Sequence, residues 1–243
     1  MLDRDQWRIA DYATGSVRLF EWTTRATPQR RSRVAAPLSQ HASTRPSRKN
    51  APKSALITRD LDLLAAMAKQ NLVSVYLSVT TLDNRLSAKL EPRAAAPHTR
   101  LKTIHTLHEA GVPVGVLVAP VIPMLTDSDL EHILEAAREA GAASAGYALL
   151  RLPHELKLVW REWLELHYPE RAAHVMSLLQ QMHGGKDYDS TFGTRMRGQG
   201  PFAELIGQRF KKGHKRLGFG RLAALDCSQF VPPHVPSPQL DLF

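Results

Sequence analysis

The chain has 243 residues, a formal net charge of +9 and 43% hydrophobic residues, so it holds enough apolar material for a globular core. No apolar run reaches the roughly 18 to 20 residues of a membrane-spanning helix, which excludes a membrane protein. The first residues lack the apolar core of a signal peptide, and the single cysteine, Cys227, excludes an internal disulfide. Together these features predict a cytoplasmic protein.

The positive charge is concentrated near the N-terminus. Residues 21–53 hold eight Lys or Arg and one acidic residue, which is +7 of the total of +9. The same stretch is rich in Arg, Ser, Pro and Thr and has no hydrophobic period, so burial cannot offset the entropy of ordering it. We therefore predict that residues 1–52 are a disordered or non-homologous basic segment. Its charge also makes DNA a candidate partner, through contacts with phosphates that release counterions.

From Lys53 to Pro153 the pattern alternates between strand and helix. Right-handed crossovers place such strands side by side in one parallel sheet, which predicts an α/β fold with about four strands and an open edge. The predicted strands are Ala55–Ile57, Val73–Thr81, Val112–Ala119 and Ala143–Leu152. The predicted helices follow the first three of them, beginning at Thr58 or Asp60, at Pro97 and at Asp127.

After Pro153 the alternation ends. Three amphipathic helices are predicted over Glu155–His167, Glu170–His183 and Pro201–Leu217, and they form an all-helical extension. The chain thus divides into a basic segment (1–52), an α/β part (53–153), a helical extension (154–233) and a flexible tail (234–243).

Several candidate ligand-binding residues follow the predicted strands. The hydroxyls of Ser78 and Thr80 lie where parallel strands end, although Thr81 or Asp83 in the same stretch is equally suited to cap the next helix. Arg93 follows a proline and suits two-point binding of a carboxylate, but a surface arginine has the same pattern.

A second strand exit is apolar. Val121 and Ile122 lie between two prolines and offer a wall with exposed backbone groups that suits an adenine. A rigid strand-to-helix turn would have the same sequence.

An ordered series of motifs gives these residues a family context. SVTTLD, EPRAAAPHTRL, AGVPVGVLVAPVIP, GYALLRLP and GGKDYDSTFGTRMRGQGPFAELIGQRF together resemble the radical S-adenosylmethionine (SAM) proteins related to spore photoproduct lyase. The resemblance covers about residues 53–233. It implies the rear part of a partial (β/α)₆ barrel, in which a 4Fe-4S cluster cleaves SAM to a 5′-deoxyadenosyl radical.

The resemblance also implies roles for single residues. Ser78 and Thr80 would approach the ribose or the amino-acid part of SAM. Arg93 would bind its carboxylate, and Val121 and Ile122 would line the adenine. No catalytic residue and no metal ligand is assigned.

The chain departs from the family at the cluster. The family binds its cluster through a Cys-x₃-Cys-x₂-Cys loop, and one cysteine cannot supply three thiolates. We expect no cluster in this chain, which leaves open whether it is an enzyme. Our hypothesis is a truncated or frame-disrupted homologue of a radical SAM protein with a role in DNA repair or DNA metabolism. The alternative is a non-catalytic, DNA-associated adaptor.

The C-terminus carries a separate pattern. Gln239, Leu240, Leu242 and Phe243 follow a Pro-rich stretch and resemble the short peptide that docks bacterial replication and repair proteins on the sliding clamp. Leu and Phe would enter an apolar pocket while Gln hydrogen-bonds beside it. The alternative is that this apolar end packs on its own domain.

Overall fold

The structure, a computed structural model, describes residues 48–50, 55–192, 194–226 and 228. The residues that resemble a clamp-binding peptide, Gln239, Leu240, Leu242 and Phe243, and most of the basic segment lie outside the described residues. Four strands form one open sheet in the order β1-β2-β3-β4, and every neighbouring pair is parallel. The strands are β1 (Arg48–Asn50), β2 (Val73–Ser78), β3 (Val114–Val121) and β4 (Ser144–Leu149). This confirms the predicted α/β fold with its open parallel sheet.

Seven α-helices surround and extend the described sheet. Four come between β1 and β4 along the chain: α1 (Leu61–Ala68), α2 (Asn84–Leu90), α3 (Pro97–Glu109) and α4 (Leu130–Glu139). Three follow β4, at nearly the predicted bounds: α5 (Leu156–His167), α6 (Pro169–Met182) and α7 (Gly200–Arg216). Every helix in the described part of the chain is too short or too polar to cross a membrane.

The predicted first strand is wrong. Ala55–Asp60 form a 3₁₀ helix, and the strand that pairs with β2 is Arg48–Asn50. A run of three apolar residues does not distinguish a strand from a helical turn, and Leu56 is 36% exposed. The sheet therefore begins before the domain boundary predicted at Lys53, while the division of the chain into domains stays a prediction.

One side of the sheet, which we call the helix-facing side, is sealed by apolar packing. Its side chains alternate along β2 and β3 with those of the opposite side, as the period of two of a strand requires. They are branched, at most 1% exposed and part of the hydrophobic core: Val73, Val75, Leu77, Val79, Val114, Val116 and Val118.

The opposite side, which we call the small-residue side, carries hydroxyls, glycine and alanine. Strand register places Tyr76, Gly115 and Ser144 in one row and Ser78, Leu117 and Gly146 in the next. The Tyr76 hydroxyl lies 3.2 Å from Ser144 Oγ. A Cβ at Gly115 would lie 2.5 Å from Cε1 of Tyr76, so only glycine lets the ring pass across β3.

Candidate functional site

The hydroxyls of Ser78 and Thr80 meet at one backbone carbonyl. Ser78 Oγ donates to the Ala119 oxygen at 2.8 Å and Thr80 Oγ1 donates to the same oxygen at 3.1 Å. Both residues are 3% exposed. Their position is the point where the carboxyl ends of β2 and β3 meet. Because each hydroxyl hydrogen is already used, the oxygen lone pairs remain as acceptors for a donor on a ligand.

The neighbouring Asp83 is a helix cap. Its carboxylate accepts hydrogen bonds from the backbone N–H of Arg85 at 2.7 Å and of Leu86 at 3.3 Å, at the start of α2. The Thr81 hydroxyl donates to the carboxylate of Asp129, just before α4. Asp83 and Thr81 therefore hold the end of β2 in place, and the capping alternative is confirmed for Asp83.

Arg93 lies exposed on the turn between α2 and α3. Arg100, which the sequence analysis missed, lies on the following helix, α3, and is 1% exposed. Arg100 Nη1 donates to the Ser78 oxygen at 2.8 Å and Nε donates to the Ala95 oxygen at 2.7 Å. Nη2 forms an ion pair with Glu91. Arg100 thus fastens the turn that carries Arg93 to the end of β2.

The sequence did contain a signal for Arg100. Arg100, Thr103, Ile104 and Leu107 are spaced as one helix face, and all four are buried on α3. An arginine on the buried face of an amphipathic helix needs a polar partner at the site it enters. For Arg100, that polar partner is at the end of β2.

Val121 and Ile122 are 1% and 0% exposed and belong to the hydrophobic core. A register shift separates Val118 from Val121, after which Val121 pairs with Leu149. The Val121 oxygen accepts a hydrogen bond from the Leu150 N–H at 3.1 Å. Their side chains pack inward, so their backbone is what reaches the edge of the sheet. Their assignment to the adenine stays a prediction.

The carboxyl end of β4 adds a polar group that the sequence analysis did not assign. His183 Nε2 lies 3.2 Å from the Leu150 oxygen, and Arg151 Nη2 donates to the Tyr188 hydroxyl at 2.7 Å. Arg151 is 6% exposed and His183 is 2% exposed. Desolvation by burial lowers the pKa of His183 below its usual value.

Residues 184–192 and 194–199, which we call the glycine loop, cover this end of β4. The Met196 oxygen accepts from the Leu149 N–H at 3.0 Å. Gly198 has a φ of +68°, and a Cβ there would lie 2.8 Å from Leu149 Cδ1, so the approach needs glycine. Hydrogen bonds from Thr191 and Thr194 lower the pKa of Asp189 to about 2.

The residues of this chain do not fit the iron–sulfur cluster. Among the described residues, His, Cys, Asp and Glu form no group of three or more that could hold a metal ion. The one cysteine, Cys227, lies outside them. A 4Fe-4S cluster of the family type needs three thiolates, so no chemical step through a cluster is derived for these residues.

Comparison with known proteins relates part of this chain to a known superfamily. Residues 41–137, from before β1 into α4, match the model of the radical SAM superfamily. The resemblance found in the sequence is therefore confirmed at superfamily level for this segment. The superfamily generally uses SAM and a 4Fe-4S cluster.

The curated relatives are longer proteins. An uncharacterised protein of Mycobacterium tuberculosis is 34% identical over 131 residues, which are 53% of this chain and 38% of the relative. An uncharacterised protein of Acidianus two-tailed virus is 36% identical over 94 residues, 37% of this chain and 31% of the relative. A third, from Methanocaldococcus jannaschii, is 28% identical over 118 residues, 49% of this chain and 42% of the relative. The chain spans less than half the length of each.

Proposed function

We propose that this chain binds SAM at the carboxyl ends of β2 and β3. The observation that carries the proposal is the convergence of Ser78 and Thr80 on the Ala119 oxygen, within the segment that matches the superfamily. Ligands of open parallel sheets lie at this edge. The radical chemistry that the superfamily performs on SAM needs cluster ligands that this chain does not contain.

The site suits the polar parts of SAM. The lone pairs of Ser78 and Thr80 accept from ribose hydroxyls or from the ammonium group of the methionyl part. Arg93 suits the carboxylate, because a guanidinium binds it at two points. Arg100 supports this arrangement by joining the turn of Arg93 to Ser78.

Calorimetric titration of the purified chain with SAM tests the proposal. We expect the double variant Ser78→Ala and Thr80→Ala to lose about tenfold in affinity, since each lost hydrogen bond is worth about 0.5–1.5 kcal/mol. Thr103→Ala is the matched control, because its hydroxyl is equally buried at 3% exposure but donates to the Thr99 oxygen within α3. A folded wild-type chain that does not bind SAM, or equal losses in both variants, overturns the proposal.

The narrower part of the proposal is membership of the spore photoproduct lyase-like group, with a role in DNA repair or DNA metabolism. The ordered series of motifs from SVTTLD to the glycine loop supports it. DNA binding should weaken steeply with salt if phosphate contacts carry it. A chain that lacks residues 21–47 but keeps β1, and that binds DNA as tightly as the full chain, would remove the basic segment from this role.

A second candidate function is that of a clamp-docking adaptor. The observation that favours it is the Gln239–Phe243 sequence after a Pro-rich stretch. The double variant Leu242→Ala and Phe243→Ala should then lose binding to a bacterial sliding clamp in a pull-down with purified proteins. Asp241→Ala is the control, since its side chain is not one of the apolar anchors. Unchanged binding in the double variant rejects the adaptor.

A further inference from the structure

Two buried polar side chains at the carboxyl end of β4 have no role in the proposed SAM site. Arg151 follows Leu150, and His183 contacts the Leu150 oxygen, so both are fixed to the same strand end. They are 6% and 2% exposed. The Leu150 N–H bonds to the Val121 oxygen, which makes this end continuous with the edge where SAM is proposed to bind.

The contact with Leu150 determines the tautomer of His183. A carbonyl oxygen only accepts, so the hydrogen of a neutral His183 ring is on Nε2 and Nδ1 carries a lone pair. Nδ1 is buried and has no hydrogen-bond partner among the described residues. A buried acceptor without a donor costs free energy, so this position favours a ligand that brings a donor. Because burial lowers the pKa of His183, the ring stays neutral near pH 7.

Arg151 brings a positive charge to the same place. Its Nη2 is oriented by the hydroxyl of Tyr188, which is uncharged, and its guanidinium lies 5.5 Å from the centre of the Tyr188 ring. The charges of Arg151 and Asp189 both act on the His183 ring, where Asp189 raises its pKa and Arg151 lowers it. The Asp189 carboxylate is held by Thr191 and Thr194. Tyr188, which contacts Arg151, is half-buried in the glycine loop.

We propose that Arg151 and His183 form a binding site for a singly protonated phosphate, either free phosphate or a phosphate monoester. The phosphate oxygens accept from the guanidinium, and the phosphate O–H donates to Nδ1 of His183. This inference rests on the proposed SAM site, because the phosphate would belong to a second ligand that lies beside SAM on the same edge of the sheet.

The proton requirement separates this site from a simple positive patch. Sulfate has the tetrahedral shape of phosphate but no O–H near neutral pH, so it cannot donate to His183. A phosphate monoester has its second pKa near 6, so about half of it carries the O–H at pH 6. Binding of a monoester should therefore weaken as the pH rises above 6 and the ligand loses that proton, whereas inorganic phosphate keeps an O–H throughout this range.

The experiment is calorimetric titration of the full chain with inorganic phosphate, ribose 5-phosphate and sulfate at pH 7, repeated at pH 6. We expect phosphate to bind at least about tenfold more tightly than sulfate, because a site built around a hydrogen bond rejects an analogue that lacks it. Tighter binding of ribose 5-phosphate than of inorganic phosphate would identify a monoester as the ligand, and the reverse would identify free phosphate. His183→Gln should abolish the preference for phosphate over sulfate. Arg151→Gln should weaken the binding of both anions.

Lys186→Gln is the matched control, since it removes one positive charge from an exposed position of the glycine loop. It should leave phosphate affinity unchanged. The phosphate site is overturned if the folded wild-type chain binds sulfate and phosphate equally, or binds neither. This outcome does not depend on whether the variants fold. Retained SAM binding would then leave the SAM proposal standing. Phosphate binding without SAM binding would instead overturn the SAM proposal alone.

Discussion

The two sides of the sheet differ in composition although the same strands build them. The helix-facing side carries branched apolar residues that are almost fully buried, whereas the small-residue side carries Ser, Thr, Gly and Ala. Branched residues fill the space under helices and stabilise the fold. Small and hydroxylated residues leave room for a ring such as Tyr76 and present acceptors at the strand ends. Stability and the proposed SAM binding thus depend on alternate residues of one strand.

We expect the largest effect from Arg100→Ala, which should reduce both stability and SAM affinity. Arg100 lies on helix α3, on the helix-facing side, yet it donates a hydrogen bond to the Ser78 oxygen. Removing Arg100 deletes one partner of a buried ion pair with Glu91, which we expect to cost about 3–5 kcal/mol in the free energy of unfolding. Urea denaturation measures this loss, and SAM titration should show a weaker site. Arg85→Ala, at an exposed position of α2, is the control and should change stability by less than about 0.5 kcal/mol.

Leu77→Ala and Ser78→Ala compare the two sides at adjacent positions. Leu77 is 0% exposed in the core, so its truncation should cost about 2–5 kcal/mol. Ser78→Ala removes one hydrogen bond and should cost only about 1 kcal/mol. Their effects on SAM affinity should be reversed, with the loss confined to Ser78→Ala. Equal effects on both quantities would contradict the division of roles.

Gly115→Ala tests the close packing of the small-residue side. The added methyl group meets the Tyr76 ring, and such overpacking costs about 1–3 kcal/mol. Tyr76→Ala in the same chain should recover part of that loss, which a double-mutant cycle measures. Tyr76→Phe removes only the contact with Ser144 and should give a smaller change than either. Additive losses would show that the ring and residue 115 do not touch.

His183 gives the smallest expected effect, a dependence of stability on pH. Burial lowers the pKa of His183 in the folded chain, so the unfolded chain binds more protons below its own pKa of about 6.5. Stability should therefore fall as the pH drops from about 6.5 toward the lowered folded pKa. Urea denaturation at several pH values should show this fall, and His183→Gln should reduce it. An unchanged slope in that variant would assign the fall to other groups.

Strand and helix positions were predictable where the hydrophobic period was long. The helices over Leu156–His167, Pro169–Met182 and Gly200–Arg216 lie close to their predicted bounds because each buries a continuous apolar stripe. β1 was not predictable, because Arg48–Asn50 contain no apolar residue and so give no hydrophobic pattern, although they pair with β2. A pattern of side chains carries no information about such a strand.

The candidate site was predictable in part. Strand exits identified Ser78 and Thr80, whose hydroxyls do meet at one carbonyl. The same reasoning chose Val121 and Ile122 but could not foresee the register shift that packs them in the core. His183 was missed because its partner, the Leu150 oxygen, is distant in sequence and belongs to the backbone.

The bond between the Met196 oxygen and the Leu149 N–H has a consequence for self-association. An exposed strand edge recruits strands from other molecules, which is one origin of aggregation. Since this amide is already occupied and the turn at Gly198 lies directly against Leu149, an incoming strand must first displace the chain that is seated there. A bulkier residue at position 198 would thus favour self-association through this strand end.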